Sequence, residues 1–474
     1  MSETNPLEEI PLATESGPRD LTRGPILKTL IAFALPTLGT NLLQTIGMTI
    51  NAIWIGQLLG DQALAATANA NTIMFLAFAT VFGFSIATTV KMGIYFGSKE
   101  TEGVRQAFGA GVGFSTGIAI LGATAGWLFS DHLLTILSTP DTIRPLAHDY
   151  LQVSFLAMPF STLSMIVSMG LRSGGDAKTP FYAMIFSTIG SVVLNPLLIL
   201  GIGPFPRLGI AGSALSLAIA QLLGVLVMVG WIYLRDLPIR LRGQEWLYLW
   251  PRAEELSYVL AKGLPMGGQM LINSSASLVM VGLVNREGMV TVAAFGAILQ
   301  LWAYIQMPSF AVSTAVSAMV AQNIGAGQHD RVNQINVAGL GVNAVVTGML
   351  FLMLVAGDEL ILPLFLGEHS PAVAVAEHIQ VMASWCWVLQ GQMVIMLGTL
   401  RGYGVVVIPL LIMAVSLYPV RLGFYFLTYP LIAADALWLS YGFGAAVALG
   451  LTYLAYTYGS WRRQFGLPAA FARK

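Results

Sequence analysis

Phe96-Gly97-Ser98, followed by Val104-Arg105-Gln106, returns 228 residues later as Ile324-Gly325-Ala326 and Val332-Asn333-Gln334. The surroundings repeat in the same order. Leu35-Pro36 recurs as Leu264-Pro265, Ala65-Ala66 as Ala293-Ala294, Leu171-Arg172 as Leu400-Arg401, and Pro180 as Pro409. Matched Pro, Gly and Arg at turns, kept in order, point to an internal duplication rather than to shared composition. Each copy spans six apolar segments, an even number, so the repeat keeps its orientation across a membrane. Two parallel six-helix halves are a transporter architecture, with substrate bound between them and access alternating by rocking.

Composition agrees. Apolar residues make up 56% of the 474 and charged residues 10%, against about 45–50% and about 25% in soluble domains. Charge-poor runs of roughly 20 residues, enough to cross a hydrocarbon core, begin near Leu30, Leu64, Ala107, Ala147, Phe181, Ile210, Leu256, Val290, Val337, Ile379, Val406 and Ala436. They are long and do not alternate, which excludes barrel strands. The expected fold is therefore an all-α integral membrane protein, with about twelve transmembrane helices in two pseudo-symmetric six-helix lobes. Net charge is zero, so nothing points to nucleic acid. A single cysteine, Cys386, excludes an intramolecular disulfide and a cysteine zinc site.

The segments divide the chain into a disordered cytoplasmic tail (1–24), an N-lobe (25–233), a basic cytoplasmic linker (234–255), a C-lobe (256–460) and a cytoplasmic C-terminal tail (461–474). The acidic N-terminus lacks the apolar stretch of a cleavable signal. With the N-terminus inside, only Arg144, Arg207 and Arg286 fall in outer loops, Arg421 falls within a span, and the other 19 of 23 basic residues lie at the inner ends. That bias predicts cytoplasmic N- and C-termini in a multi-pass protein of the cell inner (plasma) membrane.

The motifs carry a resemblance. Ile55-Gly56-Gln57-Leu58-Leu59-Gly60 with Ala63-Leu64-Ala65-Ala66, Leu171-Arg172-Ser173-Gly174-Gly175-Asp176-Ala177-Lys178-Thr179-Pro180, Leu208-Gly209-Ile210-Ala211-Gly212-Ser213-Ala214, Gln322-Asn323-Ile324-Gly325-Ala326-Gly327 and Leu400-Arg401-Gly402-Tyr403-Gly404 together resemble the multidrug and toxic compound extrusion (MATE) family over nearly the whole chain. The resemblance implies two lobes around a V-shaped cavity. It also implies cation-coupled export of amphipathic, often cationic compounds, by H+ or Na+ antiport. No cofactor is expected beyond that transported ion, and no enzymatic activity. The expected partners are a small-molecule substrate and the bilayer, and the chain is expected to act as a monomer.

Departures from the family pattern fall on its acids. The 23 acids lie in the tail, loops, short connections and helix ends, and the five histidines are also peripheral, so no deep group is available for a proton relay. Asn51 and Asn195 stand where the first and fifth helices of relatives often carry Asp. Asn273 and Gln390 stand, in a looser match, where one branch carries Glu and Asp. An amide keeps the shape and hydrogen bonding without the charge. It cannot release a proton near neutral pH, but its oxygen suits Na+, although weakly without a carboxylate. The expected sites are neutral polar cavities, one from Asn51, Asn195, Gln44 and Asn69 and one from Asn273, Gln300 and Gln390. The plainer role for any of these amides is a hydrogen bond between helices, worth about 0.6–2 kcal/mol.

Two basic groups complete the pattern. Lys91 is expected to snorkel to the inner headgroups. Arg421 lies too deep for that and is either a functional group or a tie to nearby carbonyls and amides. With an arginine and no acid, the cavity favours a neutral or anionic amphipathic substrate over a cationic drug. A lipid-linked sugar or polysaccharide flippase and an uncoupled transporter are the alternatives. An intramembrane enzyme needs clustered Asp, His or Cys, for which Asp131-His132 and Glu377-His378 are the nearest pairs and neither forms a motif. Gly109-Ala110-Gly111-Val112-Gly113 lies inside a span and lacks the strand and Lys of a phosphate loop. Trp246, Tyr248 and Trp250 read as interfacial anchors, and Pro36, Pro265, Pro308 and Pro419 as bends.

Overall fold

A computed structural model describes residues 20–465. The first six spans are α1 (Ile26–Leu59), α2 (Asp61–Ser98), α3 (Thr101–Leu128), α4 (Arg144–Ser173), α5 (Lys178–Leu200) and α6 (Ile210–Leu234). The second six are α7 (Ala253–Val284), α8 (Met289–Gly325), α9 (His329–Ala356), α10, α11 and α12 (Asp435–Tyr458). Two of these are interrupted. α10 is the pair Ala372–Ala383 and Cys386–Gly402, bent by 45°. α11 runs from Val407 to Ile432 and carries a π-turn over Ser416–Val420 that contains Pro419. Among the described residues eleven helices are long and apolar enough to cross a membrane, twelve with the bent pair counted as one span. The spans start where the sequence places them, because a run of about 20 apolar residues must close its backbone hydrogen bonds internally in lipid.

The lobes meet most closely at the end of the bundle that carries the basic residues. A β-carbon on Gly97 of α2 would come within 1.9 Å of the Gln322 carbonyl oxygen on α8, and one on Gly325 within 1.9 Å of the Ile94 carbonyl oxygen. The repeated glycines that mark the duplication are thus the points where α2 and α8 cross backbone to backbone, as small residues allow in membrane helices. Higher on α2, Gly83 seats against Gly263 and Gly267 of α7 in the same way.

Polar contacts reinforce this seam. The Lys91 ammonium on α2 lies 2.8 Å from a Glu255 carboxylate oxygen on α7, and both residues are buried. Lys91 is therefore not turned out to headgroups but held in an ion pair across the lobes, over the ring of Tyr258 at 4.8 Å. Glu255, placed by the sequence in a connection, sits in the first turn of α7. The Gln322 side chain donates to the Ser173 carbonyl (2.6 Å) and accepts from the Leu21 amide (3.1 Å). Asn323 donates to the Leu21 carbonyl (3.2 Å) and Arg331 to that of Gly24 (2.7 Å).

These contacts correct the expected boundaries of the tails. Leu21 is fully buried in the core between α1, α8 and α10, so residues 20–24 form a strap rather than disordered chain, while residues 1–19 lie outside the described residues. At the other terminus Trp461–Gln464 forms a short helix. Trp461 is buried against Tyr403, with ring centroids 4.7 Å apart, and residues 466–474 lie outside the described residues.

The linker is also docked. Its 3-10 helix, Gly243–Leu249, lies on α3 where Gly109 would meet Tyr248 and Gly113 the Leu249 carbonyl. The glycine run of α3 is a seat for the linker. Arg105 ties it down through Glu245 at 2.6 Å and the Pro238 carbonyl at 3.2 Å. Tyr248 packs on α3 and bonds Glu102. Trp246 and Trp250 stay exposed.

Candidate functional site

The first lobe holds a compact amide cluster. Asn51 of α1 and Asn195 of α5 are both buried. The Asn195 amide donates to Oδ1 of Asn51 (2.5 Å), and the Ser213 hydroxyl of α6 donates to the same oxygen (2.8 Å). Oδ1 of Asn195 has no partner. Three helices thus meet at one neutral carbonyl, with a second carbonyl oxygen unsatisfied beside it. Gln44 is exposed on α1, and Asn69 donates to the Ala65 carbonyl of its own helix (3.1 Å). The structure brings neither into the cluster.

The second lobe holds an open cavity of about 450 Å³, walled by α7, α8, α10, α11 and α12 and closed on one side by Phe75, Phe82 and Ile86 of α2. Asn273 and Gln390 line it, as does Arg421, whereas Gln300 does not and is exposed on α8. Its size matches that of small-molecule sites. Its aromatic wall includes Trp302 and Trp387, with centroids 5.4 Å apart, and Phe295, 5.9 Å from Trp302.

Arg421 follows directly on the π-turn of α11, a feature often found at functional positions. It is only 7% exposed. Its guanidinium carbon lies 3.3 Å from the centroid of the Tyr441 ring, and Gly444 of α12 leaves room for its stem. Its Nε and Nη2 have no partner. The sequence reading singled out Arg421 but missed a second cavity arginine. Arg401 was counted among inner-end basic residues, yet it turns into the lobe, where Nη2 donates to the Ser313 hydroxyl (2.7 Å) and Nε is unpartnered. Ser309, Trp387, Ser416 and Tyr441 were also missed. Each is a common residue in an apolar run, and nothing in its spacing marks it.

The lining of this cavity includes no Asp, Glu, His or Lys. The buried acids lie at the helix ends. At the end opposite the seam, Asp358 opens the short helix Asp358–Leu366, is 8% exposed, and accepts from the Gln380 amide. Burial first, and the nearby Glu377 carboxylate second, push its carboxyl up to about 6. The pairs considered for catalysis are engaged elsewhere: Asp131 with Arg144 at 3.6 Å and His148 at 3.8 Å, and His378 with Asp435 at 2.7 Å. Among the described residues no group of three His, Cys, Asp or Glu could hold a metal.

Comparison with known proteins fits this geometry. The MatE family profile matches residues 36–197 and 265–427, two stretches whose starts lie 229 residues apart. The chain is 30% identical to the probable multidrug resistance protein YoeA of Bacillus subtilis (strain 168), over 93% of its own length and 95% of that protein. It is 28% identical to a FAD transporter of Shewanella oneidensis (strain MR-1), over 70% and 73%. A solved multidrug resistance MATE family transporter in an outward-facing conformation superposes with a TM-score of 0.83 at 18% identity, covering 94% of this chain and 97% of that one.

Proposed function

The chain belongs to the MatE family, a family of multi-pass membrane transporters, and from that premise we propose that it is a secondary transporter exporting amphipathic small molecules by alternating access. The moving bodies are the two six-helix halves, α1–α6 and α7–α12, with Glu255 in the second and the linker joining them. The observation that carries this reading is the seam. The lobes are closed at the basic end by Lys91–Glu255, by the Gly97–Gln322 crossing and by the Leu21 strap. These contacts flank a shared apolar patch in which Leu30, Phe33 and Ala34 of α1 pack with residues of α8 and α10. The excess of basic residues at that end supports a cytoplasmic seam in the plasma membrane, so the structure corresponds to a state closed to the cytoplasm. Multidrug resistance and FAD transport, named for its relatives, both fit a cavity of drug size with aromatic walls.

Coupling by antiport remains part of the proposal, and the amide cluster favours Na+ over H+. Asn195 Oδ1 is a buried, unpartnered oxygen, which suits a hard cation, while no carboxylate is at hand to carry a proton. The test is reconstitution in vesicles, following neutral, anionic and cationic dyes under separate H+ and Na+ gradients. Dye export driven by the Na+ gradient is the expected result. Export that follows neither gradient overturns antiport, and no dye movement in any condition overturns the transport reading.

A further inference from the structure

Resting on that transport reading and deepening it, we propose that the second-lobe cavity is an anion-binding site, in which Arg421 takes the carboxylate or phosphate group of an amphipathic ligand whose apolar body lies on the Trp302–Trp387 wall. Three observations meet here. The buried unpartnered polar atoms of the cavity are donors: Nε and Nη2 of Arg421, Nε of Arg401, Nε1 of Trp387, and the hydroxyls of Ser309 and Ser416. Buried donors are rarely left unpaired in native proteins, and a concentration of them implies an acceptor that belongs there. A water satisfies one donor but leaves the buried guanidinium charge without a counter-charge, whereas an anion supplies both.

The second observation is the lack of any acid in the lining. A cationic ligand would meet two guanidinium groups and no counter-charge. The third is how Arg421 is held. Tyr441 covers one face of the guanidinium plane, which stabilises the cation and fixes the plane while the Nε–Nη2 edge stays free. That edge is the fork that matches a carboxylate or phosphate in two parallel hydrogen bonds. Gln390 and Asn273 on the same lining can donate to further oxygens.

The test uses the full chain purified in detergent and a matched pair of xanthene dyes, fluorescein (anionic) and rhodamine 6G (cationic), with binding read by fluorescence anisotropy. Fluorescein binds more tightly than rhodamine 6G, and Arg421→Gln weakens it at least tenfold without weakening rhodamine 6G. Arg421→Lys, which keeps the charge but loses the fork, recovers only part. Gln390→Glu adds a carboxylate at the cavity wall without disturbing the arginine, and it weakens fluorescein by a similar factor even where Arg421→Gln fails to fold. Displacement of fluorescein by short-chain phosphatidylglycerol, but not phosphatidylcholine, assigns the natural anion to a lipid headgroup. Resistance to both lipids assigns it to a soluble amphipath. Fluorescein affinity unchanged in Arg421→Gln and Gln390→Glu, or rhodamine 6G bound more tightly than fluorescein, overturns the proposal. Binding that persists where vesicles show no dye export would instead sink the transport reading and leave this site standing.

Discussion

Asn195 donates its amide to Oδ1 of Asn51 across 2.5 Å, joining α5 to α1 inside the first lobe. The two positions meet as a neutral amide pair, a unit that carries hydrogen bonds but no charge. Replacing Asn51 with Leu removes the acceptor of two buried donors, Asn195 Nδ2 and Ser213 Oγ. The expected loss is about 1–3 kcal/mol, seen as a lower Tm in detergent. Asn51→Asp keeps both donors satisfied and adds a titratable group. Its dye export becomes dependent on an imposed pH gradient where the wild type is not, and an unchanged response contradicts the role assigned to the cluster.

The Lys91–Glu255 pair calls for a double-mutant cycle. Both side chains are buried, so Lys91→Met or Glu255→Met alone leaves a charge without its partner, at a cost of about 3–5 kcal/mol. The double variant Lys91→Met/Glu255→Met removes both charges and recovers most of the loss. Additive losses, measured by thermal unfolding, would show that the pair does not close the seam.

Gly97 tests the seam by shape rather than charge. Its missing β-carbon is replaced by the Gln322 carbonyl, a backbone atom that cannot swing away. Gly97→Ala forces α2 and α8 apart and costs about 1–3 kcal/mol by overpacking. Gly117, which has open space around its α-carbon, accepts Ala without that cost, and the difference in Tm between the two variants is the readout.

Asp358 gives a pH dependence of defined sign. Its carboxyl is raised from the usual range near 4 to about 6 by burial and by Glu377. A raised carboxyl favours the folded state when protonated, so its contribution is complete below about pH 4 and is lost as pH rises through about 6. Asp358→Asn, which still accepts from Gln380, therefore matches the wild type near pH 4 and is more stable above pH 6. Tm measured across that range checks it, and an equal gain at both ends contradicts the assignment.

The fold was legible because its signals are local. Twenty apolar residues announce a span wherever they stand, and the duplicated Gly97 and Gly325 could be matched by eye. Contacts between distant residues were not legible. Asn51 and Asn195 could be paired only through the family likeness, while Gln44 and Asn69, read into the same group, turn away from it. In the second lobe Asn273 and Gln390 reach the cavity and Gln300 does not, because one residue along a helix turns a side chain by about 100°. Arg401 was read as an inner-end charge because hydropathy locates the end of a span but not the direction of its last side chain. The Leu21 strap was hidden by an acidic, Pro-rich setting that reads as tail. The unpartnered donors around Arg421 exist only as a three-dimensional count.

Alternating access is the central claim, and a reducible bridge across the seam tests it most directly. Lys91→Cys/Glu255→Cys in the full chain with Cys386→Ser, joined by a short bis-methanethiosulfonate reagent, fixes the basic end closed in reconstituted vesicles, with the reagent-treated variants that carry only one of the two introduced cysteines as controls. The account predicts that bridging abolishes dye export, that reduction restores it, and that the reagent leaves each control at its own untreated level. Export that continues with the bridge intact would contradict it.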